Sequence, residues 1–459
     1  LADEALPTAR RKRLPRFRLP PFRLRSPQDG EILRLAVPAF GALVAEPLFL
    51  LADSAIVGRL GTVPLGGLGI ASQALSTLVG ISIFLAYGTT AAVARQLGAG
   101  NRDAAIRQGI DGLWLAALIG LVVLAAGWPL TPLIVRAFGG TVAVNGQAVT
   151  YLRISLISAP AILMVLAGTG VLRGLQDTRT PLIVAVAANA VNIVLNATFV
   201  LGLHWGIAGS AWGTVIAQAG TCAAYLAVVR RGARKAGVSS KPDLGGVRAA
   251  AFAGASLVLR TLALQVVLVL MTAIAARQGN AAIAAQQVAI RVWNLFVFAL
   301  DAIAIAGQAI TGRYLGAGDT ASARAATRRM IAWGLGYGTL FSLVLLALRP
   351  VLPSIFGITP DVRGLLLAVM LVVIAQQPAA GVVFVLDGVL IGAGDQDYLA
   401  VAGLVTLAAF GAAAAVVVST HSGLVALWLA YCVWMAARFA TLTLRVRGAR
   451  WLVPGATRT

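Results

Sequence analysis

Apolar stretches of about twenty residues or more recur from one end of this chain to the other, each long enough to cross a bilayer as a helix. Inside a membrane every backbone N–H and C=O must be paired within the protein, so such a chain folds as a bundle of spanning helices. Composition agrees, with 59% of 459 residues hydrophobic and only 12% charged. The expected fold is an all-α integral membrane protein. Twelve spans are predicted, near 31–58, 65–94, 108–129, 149–173, 181–202 and 206–229, then 250–276, 282–312, 327–348, 366–391, 398–418 and 422–444.

The spans fall into two repeats. Arg95-Gln-Leu-Gly-Ala-Gly-Asn101 recurs as Arg313-Tyr-Leu-Gly-Ala-Gly-Asp319, a shift of 218 residues. The same shift carries Gly170 to Gly388, Asp177 to Asp395 and Arg59 to Arg277, and it falls to 217 where His204 meets His421. The layout is a basic tail (1–30), a first six-span lobe (31–229), a flexible solvated linker (230–249), a second lobe (250–444) and a closing tail (445–459). Six is even, so both lobes enter the membrane alike and are related by an axis along its normal. A cleft between bundles that rock against each other suits a transporter with alternating access. No ring of repeated charged or carbonyl-rich segments suggests a channel filter.

A net charge of +21 raises nucleic acid as a partner, but its distribution points to a membrane. Most basic residues lie in the connections on one side, among them Arg95, Arg102, Arg107, Arg313, Arg324 and Arg328. The opposite connections hold only Arg59, Arg136, Arg277, Arg349 and Arg363. That asymmetry predicts a plasma-membrane protein with both termini in the cytoplasm. The arm Arg10–Arg25, broken by Pro15, Pro20 and Pro21, suits contact with anionic lipid headgroups rather than nucleic acid. Cys222 and Cys432 both sit in apolar segments, so no disulfide framework and no metal site is expected. No nucleophile, base and orienter set is visible, so no enzyme and no cofactor are expected.

Polar residues inside spans are costly and mark ion or substrate pathways. Glu46 and Asp53 lie seven residues apart on the first span, close to two helical turns, so their carboxylates are expected on one side. Pro38 is expected to bend that helix. Asn189, Asn192 and Asn196 share a face of the fifth span and suit a polar cavity wall, with interhelical amide bonding as the plainer reading. A bare acid at such a wall tends to gain proton affinity through desolvation, so Asp53 suits a proton carrier and favours cationic cargo. In the second half Arg260, Gln265, Asn294, Asp301, Gln308 and Asp387 fall within or near spans. Arg260 and Asp387 are expected either to pair across helices or to place Asp387 at the cavity.

These motifs together resemble the multidrug and toxic compound extrusion (MATE) family, within it the branch named after the DNA-damage-inducible protein F. The resemblance covers roughly residues 30–445 and rests on EPLFLLADSAIVGRLG, RQLGAG, LRGLQDTRTP, NIVLNATFVLGLHWGIAGSAWGT and DGVLIGAGD. It implies two six-helix bundles around a central cleft, and export of amphipathic organic cations or toxic metabolites against inward proton or sodium flow. It also implies that Asp53 is the proton-coupling acid and Pro38 the bend-forming proline, and that Asn192 belongs to the fifth-span polar cluster. Asp387 matches the aspartate opening the DG-x-x-x-G segment of this branch. Asn196 stands where many members carry aspartate, which weakens a sodium site there. The acid that other branches carry on the seventh span has no match. A lipid-linked precursor flippase shares the two-lobe plan and is the other reading. Two lobes in one chain make a monomer sufficient.

Overall fold

The structure, a computed structural model, describes residues 26–458; the basic arm Arg10–Arg25 lies outside them. The first lobe contains α1 (Pro27–Gly58), α2 (Thr62–Ser82), α3 (Phe84–Gly98), α4 (Arg102–Phe138), α5 (Val142–Leu156), α6 (Ala159–Gly174), α7 (Arg179–Ala197) and α8 (Gly206–Lys235). The second contains α9 (Leu244–Arg277), α10 (Asn280–Gly316), α11 (Thr320–Leu348), the short α12 (Leu352–Ile355), α13 (Pro360–Gly392), α14 (Gln396–Ser419) and α15 (Leu424–Arg447). No strand occurs among the described residues.

Among the described residues eleven spans are long and apolar enough to cross a membrane, and the bent pair α5–α6 makes the twelfth. Of the expected continuous spans, the second shows only a one-residue irregularity at Ile83, where the backbone stays right-handed helical (φ −61°, ψ −19°), so Thr62–Gly98 remains one span. The fourth turns by 56° between α5 and α6. Pro160, near the start of α6, has no N–H to continue the ladder, and it disfavours helical geometry at the residue before it. The Ser158 hydroxyl donates to the Ser155 carbonyl at 2.6 Å, satisfying one of the freed acceptors.

The repeat is visible in the backbone itself. Left-handed φ values recur at matched positions: Gly61 and Gly279 at 109° and 107°, Gly100 and Gly318 at 79° and 76°, His204 and His421 at 57° and 50°. Both histidines thus serve turn geometry, as their positions in the sequence suggest.

Three segments differ from expectation. Helix α1 begins at Pro27, inside the stretch assigned to the tail, because Ser26 and Asp29 form a capping box, with Ser26 N donating to Asp29 Oδ2 at 2.8 Å. The linker is shorter and pinned: α8 runs to Lys235 and α9 starts at Leu244. Arg107 and Trp114 donate to the carbonyls of Ser239 and Ser240 at 3.0 and 3.1 Å, and Asp243 caps α9 through Gly245 N at 3.1 Å. The closing segment is a strap rather than a free tail. Trp451 is 1% exposed. Gly455 N donates to the Leu315 carbonyl at 2.9 Å, and Arg458 pairs with Asp395 at 2.8 Å.

Bonds between the lobes gather at the end bearing the two RxLGAG segments. Here α3 and α10 cross backbone to backbone: a Cβ on Gly98 would run into the Arg313 carbonyl, and one on Gly316 into the Arg95 carbonyl. Around this crossing Glu31 of α1 pairs with Arg313 and accepts from the Tyr314 hydroxyl at 2.9 Å. Asp29 accepts from Arg329 at 2.6 Å and from Trp333 at 2.8 Å. Gln176 donates to the Ala309 carbonyl at 2.9 Å. The two glycines are therefore close-approach residues, whereas Gly100 and Gly318 make the turns that follow. Gly98→Val and Gly316→Val are each expected to cost the closed arrangement ~1–3 kcal/mol by overpacking. Spin labels placed across the crossing should then report a longer distance; an unchanged distance would refute the close-approach role.

Candidate functional site

Two polar constellations lie within the spans, one in each lobe. In the first lobe Asp53 is 2% exposed and its Oδ1 accepts from Asn196 Nδ2 and from the Ser210 hydroxyl, both at 2.7 Å. Tyr151 adds its hydroxyl beside them. Helices α1, α5, α7 and α8 thus converge on one carboxylate, and every partner is neutral. Asn192 extends the cluster by donating to the Thr214 hydroxyl at 3.5 Å. A Cβ on Gly213 would collide with Asn196 Oδ1, so the glycine on α8 makes room for the amide. A π-helical turn, Thr198–Gly202, begins two residues after Asn196; such turns frequently accompany functional sites.

The remaining first-lobe candidates part from this cluster. Asn189 Nδ2 donates to the Ala45 carbonyl at 3.0 Å, so it ties α7 to α1, the packing alternative for these amides. Glu46 is exposed, whereas Asp53 is buried, and the two share no hydrogen-bond partner among the described residues. Seven residues separate them by about 10 Å along the axis, enough to reach different surroundings. Pro38 lies inside α1, and so does Pro47, a second proline that sequence reasoning passed over.

The second constellation faces a cavity of about 270 Å³ between the lobes. Gly80, Ile83 and Tyr87 line it from the first lobe; Arg260, Gln265, Asp301 and Asp387 are among its walls in the second, with Asn294 and Gln308. Asp387 accepts from Arg260 Nε at 3.2 Å and again from its Nη2, and from Arg438 Nη2 at 3.1 Å. The two sequence readings of Asp387 therefore hold together, since it pairs with Arg260 and lines the cleft. Arg438, on α15, is a further member of this site. Its guanidinium also lies 4.9 Å from the Trp434 ring centroid and 5.7 Å from that of Phe384. The repeat gives no hint of it, because the corresponding residue of the first half is Thr221.

The expected single cavity wall is thus divided. Arg260, Gln265 and Asp387 line the cleft, whereas Asp53, Asn192 and Asn196 are enclosed within the first lobe. In the row of amides Asn192 and Asn196 are buried and Asn189 is half-buried, and each donates to a partner on a neighbouring helix, because a bilayer interior penalises any polar group left facing lipid or an apolar wall.

This arrangement of two six-span lobes about a cleft can be compared with known proteins. The MatE family model matches residues 38–198 and 257–418, one match in each lobe. The chain belongs to the MatE family. DNA damage-inducible protein F of Escherichia coli is 32% identical over 427 residues, covering 90% of this chain and 91% of that protein. Protein DETOXIFICATION 44 of Arabidopsis thaliana is 28% identical over 420 residues, covering 89% and 80%. Among solved structures, a MATE protein in its bent conformation superposes with a TM-score of 0.83 at 20% identity, covering 92% of this chain and 96% of that one. A transporter from Pyrococcus furiosus, described by the reverse polarity of its binding pocket, gives 0.82 at 21% identity, covering 92% and 97%. At such identities the likeness concerns the fold. MatE proteins are multidrug and toxin efflux transporters, not enzymes, and this chain is a multi-pass member of that class.

The Asp387 cluster generates a stability prediction. Asp387→Asn leaves two buried guanidinium groups without their carboxylate and is expected to cost about 3–5 kcal/mol. Replacing Arg260, Asp387 and Arg438 together by apolar residues of similar volume is expected to recover most of that loss. Thermal unfolding of the detergent-solubilised variants checks both, and a triple variant no more stable than Asp387→Asn would show that the charges themselves hold the lobe together.

Proposed function

We propose that this transporter exports amphipathic organic cations or toxic metabolites in exchange for inward-moving protons, and that Asp53 is the coupling acid. The observation carrying this reading is the company Asp53 keeps. It is a buried intramembrane carboxylate whose hydrogen-bond partners, Asn196 and Ser210, are both neutral. A charge there has no fixed counter-ion, so a mobile one, proton or cargo, must supply the compensation. Asp387 differs, being already compensated by Arg260 and Arg438. Competition of proton and cargo for one acid is sufficient for exchange.

The end bearing the RxLGAG segments carries most of the basic connections, and we assign it to the cytoplasm of the plasma membrane, with both termini on that side. The lobes meet at that end, so the arrangement described corresponds to the outward-facing half of the cycle. Loading from the cytoplasm then requires the α3–α10 crossing and the ion pairs of Asp29 and Glu31 to part. One chain supplies both lobes, and we take the working unit to be a monomer.

Efflux of a fluorescent organic cation from vesicles containing the purified protein tests the reading, with proton and sodium gradients imposed separately. Proton-driven efflux is expected in wild type and is expected to fall by about tenfold or more in Asp53→Asn, equivalent to ~1.4 kcal/mol or more of lost coupling. Flux that follows sodium instead, or persists unchanged in Asp53→Asn, would overturn the assignment.

A further inference from the structure

Arg95 and Arg313 occupy the same position in the two halves, 218 residues apart, yet their surroundings differ. Arg313 has the Glu31 carboxylate of α1. The same shift places Ala249 of α9 where Glu31 stands on α1, and Val247 where Asp29 stands. Arg95 consequently has no ion-pair partner among the described residues. Its Nη1 and Nη2 donate to the carbonyls of Val453, Gly455 and Ala393, at 2.7 to 3.3 Å. Its Nε is buried with no partner, on a side chain belonging to a residue only 3% exposed. A buried cation without a counter-charge is costly.

Beside Arg95 lies a cavity of about 260 Å³, bounded by α3 and α4 of the first lobe, α9 of the second, and the strap. Its walls are mainly apolar, including Phe84, Leu85, Leu115, Ala253 and Gly254. Its polar groups are Arg95, Arg458, Gln108 and a few neighbours, and Gln108 Oε1 is also buried without a partner. The acid Asp395 near the strap is already engaged by Arg445 and Arg458. Cationic groups joined to an apolar trough match an amphiphile with an anionic head.

We propose that this cavity binds an anionic phospholipid from the cytoplasmic leaflet, whose phosphate supplies to Arg95 the negative charge that Glu31 supplies to Arg313. The leaflet rests on the orientation proposed above; the head-and-trough chemistry does not. The bound lipid would touch α3, α9 and the strap at once, so it would favour the state in which the cytoplasmic end is closed. The two halves would then be held shut by the α1 carboxylates Glu31 and Asp29 on one side and by a borrowed phosphate on the other.

The test uses the full chain, stripped of lipid and titrated with phosphatidylglycerol, phosphatidylcholine or inorganic phosphate, read by native mass spectrometry and thermal midpoint. Phosphatidylglycerol is expected to bind and raise the midpoint, with phosphatidylcholine and inorganic phosphate much weaker. Ala249→Glu supplies the absent carboxylate from an exposed position on α9 and is expected to weaken phosphatidylglycerol binding by about tenfold or more. The basic arm is the same in both proteins, so the difference isolates the cavity. Gln108→Glu, which places an acid on the α4 wall of the cavity, is expected to act likewise and serves if the first variant does not fold. Equal binding of the two lipids, unchanged phosphatidylglycerol affinity in the variants, or a full effect of inorganic phosphate alone would each overturn the proposal. None of these outcomes depends on cargo or on Asp53.

Discussion

The contact on which the arrangement depends is the backbone crossing of α3 and α10. Two long helices can approach this closely only where both lack a Cβ, and the repeat supplies Gly98 and Gly316 at the required points. Once the crossing forms, the neighbouring side chains are brought within reach of partners on the other lobe: Glu31 of Arg313, Asp29 of Arg329, Gln176 of the Ala309 carbonyl. These ion pairs and hydrogen bonds are partly exposed, and they rim an apolar core that is continuous across the lobes, with Ile32, Leu35 and Leu85 in one cluster with Leu257, Ala309 and Ile310. Rim contacts of that kind are individually modest and readily exchanged for water, which suits a junction that must open and re-form.

The two lobes repeat one backbone plan and differ in their polar chemistry. Asp53, Tyr151 and Ser210 correspond in the second half to Met271, Val369 and Leu427, all buried among apolar neighbours. Arg260, Asp387 and Arg438 correspond in the first half to Ala42, Thr169 and Thr221. Each lobe therefore holds a polar cluster where its mate is neutral or apolar. One cluster has a carboxylate with neutral partners; the other is an acid held by two fixed cations. The first can exchange a mobile charge, while the second has its charge balance built in. On the function proposed above, that contrast divides the labour between lobes, with coupling in the first and a charged wall in the second.

Much of this was legible in the sequence, and the legible part has a common cause. Helix number, the two lobes and their repeat follow from apolar run length and a constant shift, both of which are one-dimensional. Asp53 and Asn196 were readable as intramembrane polar residues because a bilayer makes such residues conspicuous, but not their direct bond, since 143 residues separate them. Arg438 escaped notice because it lies near a helix end rich in arginine, where a solvated basic residue is the ordinary expectation. The strap escaped for a similar reason: Gly, Pro and Arg around Trp451 read as a loose tail, and only the third dimension places Arg95 against its carbonyls.

The broken symmetry at Glu31 and Ala249 shows how a duplicated fold acquires sites that neither half encodes alone. Arginine stands near the end of both α3 and α10; Arg95 donates to carbonyls of Ala393 and the strap, Arg313 to the Glu31 carboxylate. The acid was kept only on α1. A guanidinium whose carboxylate has been lost either acquires other acceptors or leaves the interior, because an uncompensated buried charge is expensive. Arg95 did the former with carbonyls of the strap, which carry partial charges and satisfy hydrogen bonds but leave the net charge in place. Closure of the molecule at this end is therefore internally complete on the α1 side and electrostatically incomplete on the α9 side. On the opening movement proposed above, a junction of this kind would part first on the α9 side, where no acid among the described residues balances Arg95, and last on the α1 side, where Glu31 and Asp29 hold their arginines.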